Sequence, residues 1–446
     1  MKENEVIFQR DKKYLSDVMK LRFYPINITG SKGSRVYDAE GKEYIDMSAG
    51  WAVMNLGYGH PKVIEALKAK LDNNIFTSCI SYINPESIDL SERITQLLPG
   101  DFEKKVWFGH SGSDANEFLS KMLFMATGRK KIITFQGSYH GQTLGAYAMS
   151  GHPSLRTFPS GENNIKLPYP YCYRCPFGKE KDDCNLYCLD YIREEVLGKQ
   201  CLPEEISAIV AESVQSDGGD IPAVAGFLKG LEGICHKHGI YLIFDEVKVG
   251  LGRTGKMFGF EAEDIVPDAV VIGKPIGGGL PLSLVAGRKE LMDSGTGQHM
   301  FTTSGGPVVC AAALTTLQVI REEHLLSRAE RMGALLMKLL TEVKKRCPYI
   351  GEIRGRGMIV GTELVVDQKT KAPARELAAM AVYRAYELGM LCFYTGLHSN
   401  VIEFTPPLIL TEDEAKIAVN ILEQAILDAA SGKVSRDTLK AFSGWS

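Results

Sequence analysis

IYLIFDEVKVGLGRTGKMF, residues 240–258, decides the fold. Its apolar run is shorter than a helix, has no polar alternation, and stops at Asp245 before a glycine-rich loop. A short continuous apolar run bounded by turn residues reads as a strand buried on both faces, as in a parallel sheet. Ligands of open α/β sheets bind beyond the carboxyl ends of the strands, so Asp245 is expected to point into a crevice. Working outward, KKVWF (104–108), KIITF (131–135), ISAIVAE (206–212) and DAVVIG (268–273) are further short runs, each near a turn signal or a helical pattern such as DANEFLSKMLFMAT (114–127). That alternation predicts an α/β fold with a large, mostly parallel sheet.

Farther out the pattern changes. Residues 311–346, AAALTTLQVIREEHLLSRAERMGALLMKLLTEVKKR, keep apolar residues at helical spacing and read as one long helix leaving the sheet domain. IGEIRGRGMIVGTELVVD (350–367), RELAAMAVYRAYELG (375–389), NVIEFTPPLIL (400–410) and DEAKIAVNILEQAILDAA (413–430) read as strand, helix, strand and helix of a smaller α+β domain. RVYDAEGKEYIDM (35–47) has a hairpin pattern turning at Glu40-Gly41. The expected division is 57–322 for the large domain, with 1–56 and 323–446 forming the small one.

Among 446 residues, 45% are hydrophobic and 24% charged, which excludes disordered and fibrous classes. Fifty-one basic against 54 acidic residues leave a net charge of −3 with no long basic run, so neither nucleic acid nor an anionic membrane is an expected partner. No stretch approaches about 20 unbroken apolar residues, and the N-terminus MKENEVIFQRDKKYL lacks an apolar signal core. A cytoplasmic protein is expected. Six cysteines (Cys79, Cys201, Cys235, Cys310, Cys347, Cys392) sit singly and read as packing. Cys172, Cys175, Cys184 and Cys188 are spaced C-x2-C-x8-C-x3-C; four thiolates so placed can surround zinc or an iron–sulfur cluster, and reduced thiols or disulfides explain them equally. The chemistry inferred below needs no metal.

Lys274 stands at the end of an apolar strand in VVIGKPIGGGLPLS (270–283). An ammonium is costly to desolvate there, and a desolvated lysine loses its proton readily and forms a Schiff base with a carbonyl. Pyridoxal phosphate needs a lysine for its aldehyde, an acid partner for its pyridine nitrogen and a phosphate cup. Lys274 and Asp245 supply the first two. In FGHSGSDANEF (108–118), Gly112 and Ser113 open a helix and offer backbone N–H groups to an anion. Tyr139, in GSYHGQT (137–143), follows a strand and suits stacking on the ring.

These motifs, with GYGHP (57–61), TTSGGP (302–307) and TPPL (405–408), resemble nearly end to end the class III branch of pyridoxal-phosphate enzymes of aminotransferase fold type I. The resemblance implies that Lys274 holds the cofactor, Asp245 pairs with the pyridine nitrogen, Tyr139 stacks on the ring, and Gly112 and Ser113 hold the phosphate. It also implies that Glu212 lies at the cofactor, that the protein is a homodimer or a dimer of dimers, and that Thr302 reaches the phosphate from the neighbouring subunit.

Three positions depart from the aminotransferases of that branch. Where most of them carry an arginine that clamps a substrate carboxylate, this chain has Glu403, in NVIEFTPPL; where they read Gln-Gly-Glu-Gly-Gly, it has Asp217, in VQSDGG. Lys248, in DEVKVG, stands where they commonly have an amide, with a solvated surface charge as the plain alternative. Together with LRFYPINITG (21–30), WFGHSGSDANE (107–117), IRGRGMIVGTELV (353–365) and FSGW (442–445), these departures resemble the α-amino-ε-caprolactam racemases, which also act on amino acid amides. The neighbouring isoleucine 2-epimerases share the Asp of the loop. The resemblance implies a two-base racemase or epimerase acting on an amino-lactam, an amino acid amide or a free amino acid. Lys274 would serve one face of Cα and Asp217 the other, with Tyr139 the fallback for the second base and Trp51, Lys248 and Glu403 at the substrate. A class III aminotransferase with an unusual amine donor is the alternative.

Overall fold

A computed structural model describes residues 3–73, 78–155, 161–440 and 442. The chain divides at His60 and Leu326 into two compact units, Pro61–Leu326 and the pair of segments Met1–His60 and Ser327–Ser446.

The Pro61–Leu326 unit is built on a seven-stranded sheet of β1 (Lys104–Gly109), β2 (Lys131–Phe135), β3 (Asn164–Leu167), β4 (Ile206–Ala211), β5 (Tyr241–Asp245), β6 (Ala269–Ile272) and β7 (Ser283–Arg288), in the order β1-β7-β6-β5-β4-β2-β3. The five strands from β6 to β3 are mutually parallel, whereas β7 runs antiparallel to both of its neighbours. β4 and β6 are buried along their whole length, as expected for strands covered on both faces. β3 and β7 add to the strands expected from sequence. β7 follows a Gly/Pro run and ends in Gly287 and Arg288, which conceals its apolar pattern.

The helix Gly112–Thr127 covers one sheet face with Ala115, Phe118, Leu119, Met122 and Leu123, at helical spacing. They meet Ala208, Val210, Ile243, Ala269, Val271 and Val285, alternate residues of β4 to β7 that the two-residue strand period turns to the same side. Truncating the fully buried Leu119 to Ala in this layer costs about 2–5 kcal/mol. Ser111 starts the helix in a reciprocal capping box with Asp114, and Gly128 ends it in the left-handed conformation at φ 69°.

Two expectations about the rest of the chain are corrected. The long helix expected over 311–346 is two, Pro307–Glu322 and Leu325–Arg346, broken where His324 adopts φ 52°. Neither Gly nor Pro marks the break, so periodicity runs through it. The single strand expected over 350–367 is a hairpin of Ile350–Arg356 and Ile359–Leu364, turned at Gly357 with φ 58°. That hairpin joins Val401–Phe404 and Phe393–Thr395 in a four-stranded sheet. The hairpin around Glu40-Gly41 forms as read, with Tyr37 opposite Glu43 and Gly41 at φ 77°. Among the described residues no helix is long and apolar enough to cross a membrane.

Candidate active site

Each chemically distinctive residue of the Pro61–Leu326 unit follows the carboxyl end of a strand. Gly112 and Ser113 follow β1, Tyr139 follows β2, Glu212 and Asp217 follow β4, Asp245 closes β5, and Lys274 lies two residues beyond β6. These strands point the same way, so their ends share one sheet edge, the edge where such sheets bind ligands.

An anion cup lies after β1. Within the cap, the Asp114 amide donates to Ser111 Oγ at 3.2 Å and the Ala115 amide to the Ser111 carbonyl at 3.2 Å. The amides of Gly112 and Ser113, first in the helix, form no hydrogen bond among the described residues, which leaves two donors at the positive end of a 16-residue dipole. A Cβ on Gly112 would stand 2.9 Å from Val247 Cγ1, so only glycine lets the backbone come this close. The Gln142 amide donates to Ser113 Oγ at 3.1 Å and pins the loop after β2 beside the cup.

Asp245 is 4% exposed, and its carboxylate is fixed from three sides. His140 Nδ1 lies 2.7 Å and Asn116 Nδ2 2.9 Å from Oδ2, while the Val247 amide donates to Oδ1 at 3.0 Å. Asn116 Nδ2 also reaches the His140 carbonyl at 2.8 Å, so the two partners brace each other. Sequence reasoning passed over both. The available signals were that Asn116 lies one helical turn after Gly112, hence near the same helix end, and that His140 abuts Tyr139.

The third group surrounds Asp217, which is 5% exposed. Lys248 Nζ stands 3.9 Å from its Oδ2, and Ser216 Oγ donates to the same oxygen at 3.2 Å. Burial pushes the carboxyl up, but the charges of Lys248, Lys274 and His152 and the Ser216 hydrogen bond outweigh it, and the group sits below its ordinary value. Lys248 is therefore no solvated surface charge: it is 5% exposed and faces Asp217. Glu212 behaves oppositely. Burial, with the neighbouring charges of Asp245 and Asp217, pushes it well above the carboxylate range, and its Oε2 has no hydrogen-bond partner. Burial also pushes the half-buried Tyr139 phenol up to about 12.

The residues present fit pyridoxal phosphate: a cup of free amides, a braced buried carboxylate, a lysine and an aromatic ring all stand at one sheet edge. Buried polar atoms without partners, His140 Nε2, Asn116 Oδ1 and Glu212 Oε2, belong to the same cluster. Lys274 itself holds φ 42°, a left-handed conformation costly for a residue with a Cβ and common where function dictates geometry.

The other expected residues have surroundings of their own. Thr302 is exposed on a turn whose next residue, Thr303, places Oγ1 2.9 Å from His110 Nε2. In the other unit, Glu403 on Val401–Phe404 is 1% exposed and accepts a hydrogen bond from Thr405 Oγ1 at 3.0 Å. Trp51 of that unit stacks on Phe393 with centroids 4.4 Å apart. It sits in a turn where Ala49, Gly50, Trp51 and Ala52 all have positive φ, 46°, 59°, 65° and 60°, closed by bonds from the Ala52 amide to the Ser48 carbonyl and from the Val53 amide to the Ala49 carbonyl. Cys172, Cys175, Cys184 and Cys188 are half-buried, and among the described residues no three His, Cys, Asp or Glu side chains are grouped to hold a metal. The end of the FSGW motif, residues 443–445, lies outside the described residues.

The chain is 37% identical over 448 residues to the leucine/methionine racemase of Thermococcus litoralis, covering the whole of both chains. It is 34% identical to the isoleucine 2-epimerase of Lentilactobacillus buchneri, covering 98% of each. A solved aminotransferase of Bacillus anthracis superposes with a TM-score of 0.87 at 31% identity, covering 96% of this chain and 99% of that one. A family model described as Aminotransferase class-III matches residues 17–426. The chain belongs to the class III aminotransferase family, whose cofactor is pyridoxal 5'-phosphate.

Proposed function

We propose that the protein is a pyridoxal-phosphate-dependent racemase or epimerase that inverts Cα of an amino acid, or of its amide or lactam, by a two-base mechanism. The observation that carries the reading is Asp217, a buried carboxylate kept ionised within reach of the charges of both Lys248 and Lys274. In this reading Lys274 holds the cofactor aldehyde, Asp245 with His140 and Asn116 holds the pyridine nitrogen, Gly112 and Ser113 hold the phosphate, and Tyr139 and Glu212 flank the ring. When bound, the cofactor supplies the electron sink that acidifies the Cα–H of an amine joined to it.

Two proton carriers then suffice. Lys274 Nζ takes or returns the proton on one face, and the Asp217 carboxylate does so on the other, so removal by one and return by the other inverts the centre. Asp217 suits the second role better than Tyr139, because a phenol held near 12 stays protonated at working pH while Asp217 is already a base. The racemase and the epimerase among the relatives support free amino acids as substrates, with amides and lactams the other members of the class. Trp51, Lys248 and Glu403 are proposed as substrate residues. Exposed Tyr82, Ile83 and Met300 support a homodimer, in which Thr302 would serve the partner's phosphate.

The test incubates the purified holoenzyme with single enantiomers of leucine, methionine and isoleucine, of their amides, and of amino-caprolactam, without any keto acid. Loss of enantiomeric purity with no keto acid formed is expected. Turnover only when a keto acid is added would replace this reading with an aminotransferase, the activity named for the Bacillus anthracis structure.

A further inference from the structure

The turn that carries Trp51 and the strand that carries Glu403 meet at a single hydroxyl. Thr405, one residue beyond the strand Val401–Phe404 and buried, donates its amide to the Met47 carbonyl at 2.8 Å. That bond lays the end of the strand against the residues leading into the turn. Thr405 Oγ1 stands 3.0 Å from Glu403 Oε2 and 3.1 Å from the Ser48 carbonyl. A hydroxyl has one proton to donate, so these two acceptors share it. The Ser48 carbonyl is also the oxygen that takes the Ala52 amide at 2.9 Å and closes the left-handed turn around Trp51.

Ser48 is fixed from its other side by the buried Asp46. Asp46 Oδ1 accepts from the Ser48 amide at 2.8 Å and from Ser48 Oγ at 2.6 Å, while Oδ2 accepts from the Tyr58 hydroxyl at 2.7 Å. Ser48 Oγ in turn accepts from the Gly50 amide at 3.2 Å. A cavity of about 300 Å³ lies beside the turn, with Asp46, Ser48, Gly50, Tyr58 and Phe393 in its lining. On that side the turn rests on directional hydrogen bonds rather than on close packing. Glu403 has a matching need, because a buried carboxylate is costly unless donors face it, and Thr405 supplies one.

Resting on the reading of Trp51 and Glu403 as substrate residues, we propose that Thr405 is a positioning residue that sets the two in one arrangement. The side chain accepted beside Trp51 and the charge accepted at Glu403 are then chosen together. Thr405 acts through Glu403 and through Ser48, and need not touch the substrate. When a substrate N–H engages the Glu403 carboxylate, the shared proton turns toward the Ser48 carbonyl and tightens the turn. A carboxylate at the same place in the substrate offers no such donor and leaves the turn looser. An amide substrate therefore meets a more closely defined seat for its side chain than the free amino acid does.

The experiment measures kcat and KM of the holoenzyme for racemisation of leucine, alanine and the amide of each, by chiral chromatography. Thr405→Val keeps the shape and removes the hydroxyl; Thr405→Ser keeps the hydroxyl. In Thr405→Val, the leucine-to-alanine and the amide-to-acid ratios of kcat/KM should both shift by about fivefold or more, as loss of a hydrogen bond to a charged group implies. The shift should lie in KM, with kcat for leucine within about twofold and the cofactor absorbance unchanged. Thr405→Ser should return both ratios to within about twofold of the wild type. Glu403→Gln and Trp51→Phe should combine non-additively in the wild type and additively in Thr405→Val. If Thr405→Val does not fold, Thr405→Ala is read in the same way. Two unmoved ratios, a shift in only one, or loss of kcat in both Thr405 variants alike overturns the role of Thr405 alone. Wild-type ratios in both Glu403→Gln and Trp51→Phe overturn their reading as substrate residues, and this role with it. A wild type that racemises none of the four compounds overturns the racemase reading itself.

Discussion

His140 Nδ1 lies 2.7 Å from the Oδ2 of Asp245, with the His140 side chain wholly shut away from solvent and that of Asp245 4% exposed. A hydrogen bond buried this deeply, to a group expected to carry charge, contributes about 1.5–3 kcal/mol, and its loss strands the partner. His140→Ala should therefore weaken cofactor binding on the order of 10- to 100-fold, the fold-change to which that energy corresponds. Asn116→Ala should act in the same direction and less strongly, because Asn116 divides its Nδ2 among Asp245 and the carbonyls of His140 and Gly112. Titration of the cofactor-free protein, followed by absorbance, measures both; an unchanged affinity in His140→Ala would show that the brace does not hold the acid partner.

Lys274→Ala should abolish racemisation and the visible absorbance of covalently held cofactor, while leaving the circular dichroism of the sheet intact. Retention of either signal removes Lys274 from the chemistry.

Asp217→Asn should block α-proton exchange from one enantiomer far more than from the other, since only one face loses its base. Tyr139→Phe should keep exchange from both enantiomers within about tenfold, the small loss expected when ring contacts survive and only a hydroxyl goes. Equal loss from both enantiomers in Asp217→Asn, or one-sided loss in Tyr139→Phe, reverses the assignment.

Glu403→Arg is expected to lower turnover of amides and lactams relative to free amino acids, because an arginine offers a bidentate site for an α-carboxylate. An unchanged ratio of kcat/KM values would mean that residue 403 does not set substrate charge.

Charges set at or just past the ends of apolar strands were the most legible part of the sequence. Asp245 closes one such run and Lys274 follows another by two residues, where an apolar run gives no reason for a charge unless something needs it. The glycine-rich turn before Asp114 was legible for the related reason that a helix start is written locally. His140 and Asn116 were missed because their meaning comes from Asp245, more than a hundred residues away in the chain. Lys248 stayed ambiguous since no local pattern tells a buried lysine from a surface one; only the pairing of β4 with β5 brings Asp217 to it. The same limit governs the fold, where the break at His324 and the turn at Gly357 follow from packing and leave helical or strand periodicity apparently unbroken.

The left-handed turn at Ala49–Ala52 sets stability against purpose. Three of its four residues carry a Cβ, and at about 1–2 kcal/mol each the conformation holds roughly 3–6 kcal/mol of strain. Glycine at Ala49 or Ala52 would relieve part of it, so a screen for heat resistance should find those substitutions readily. Each would also loosen the backbone that presents Trp51 to Phe393. On the proposal that Trp51 stands at the substrate, variants selected there for hardiness alone should drift in their choice of side chain, so the turn is a poor target for stabilisation.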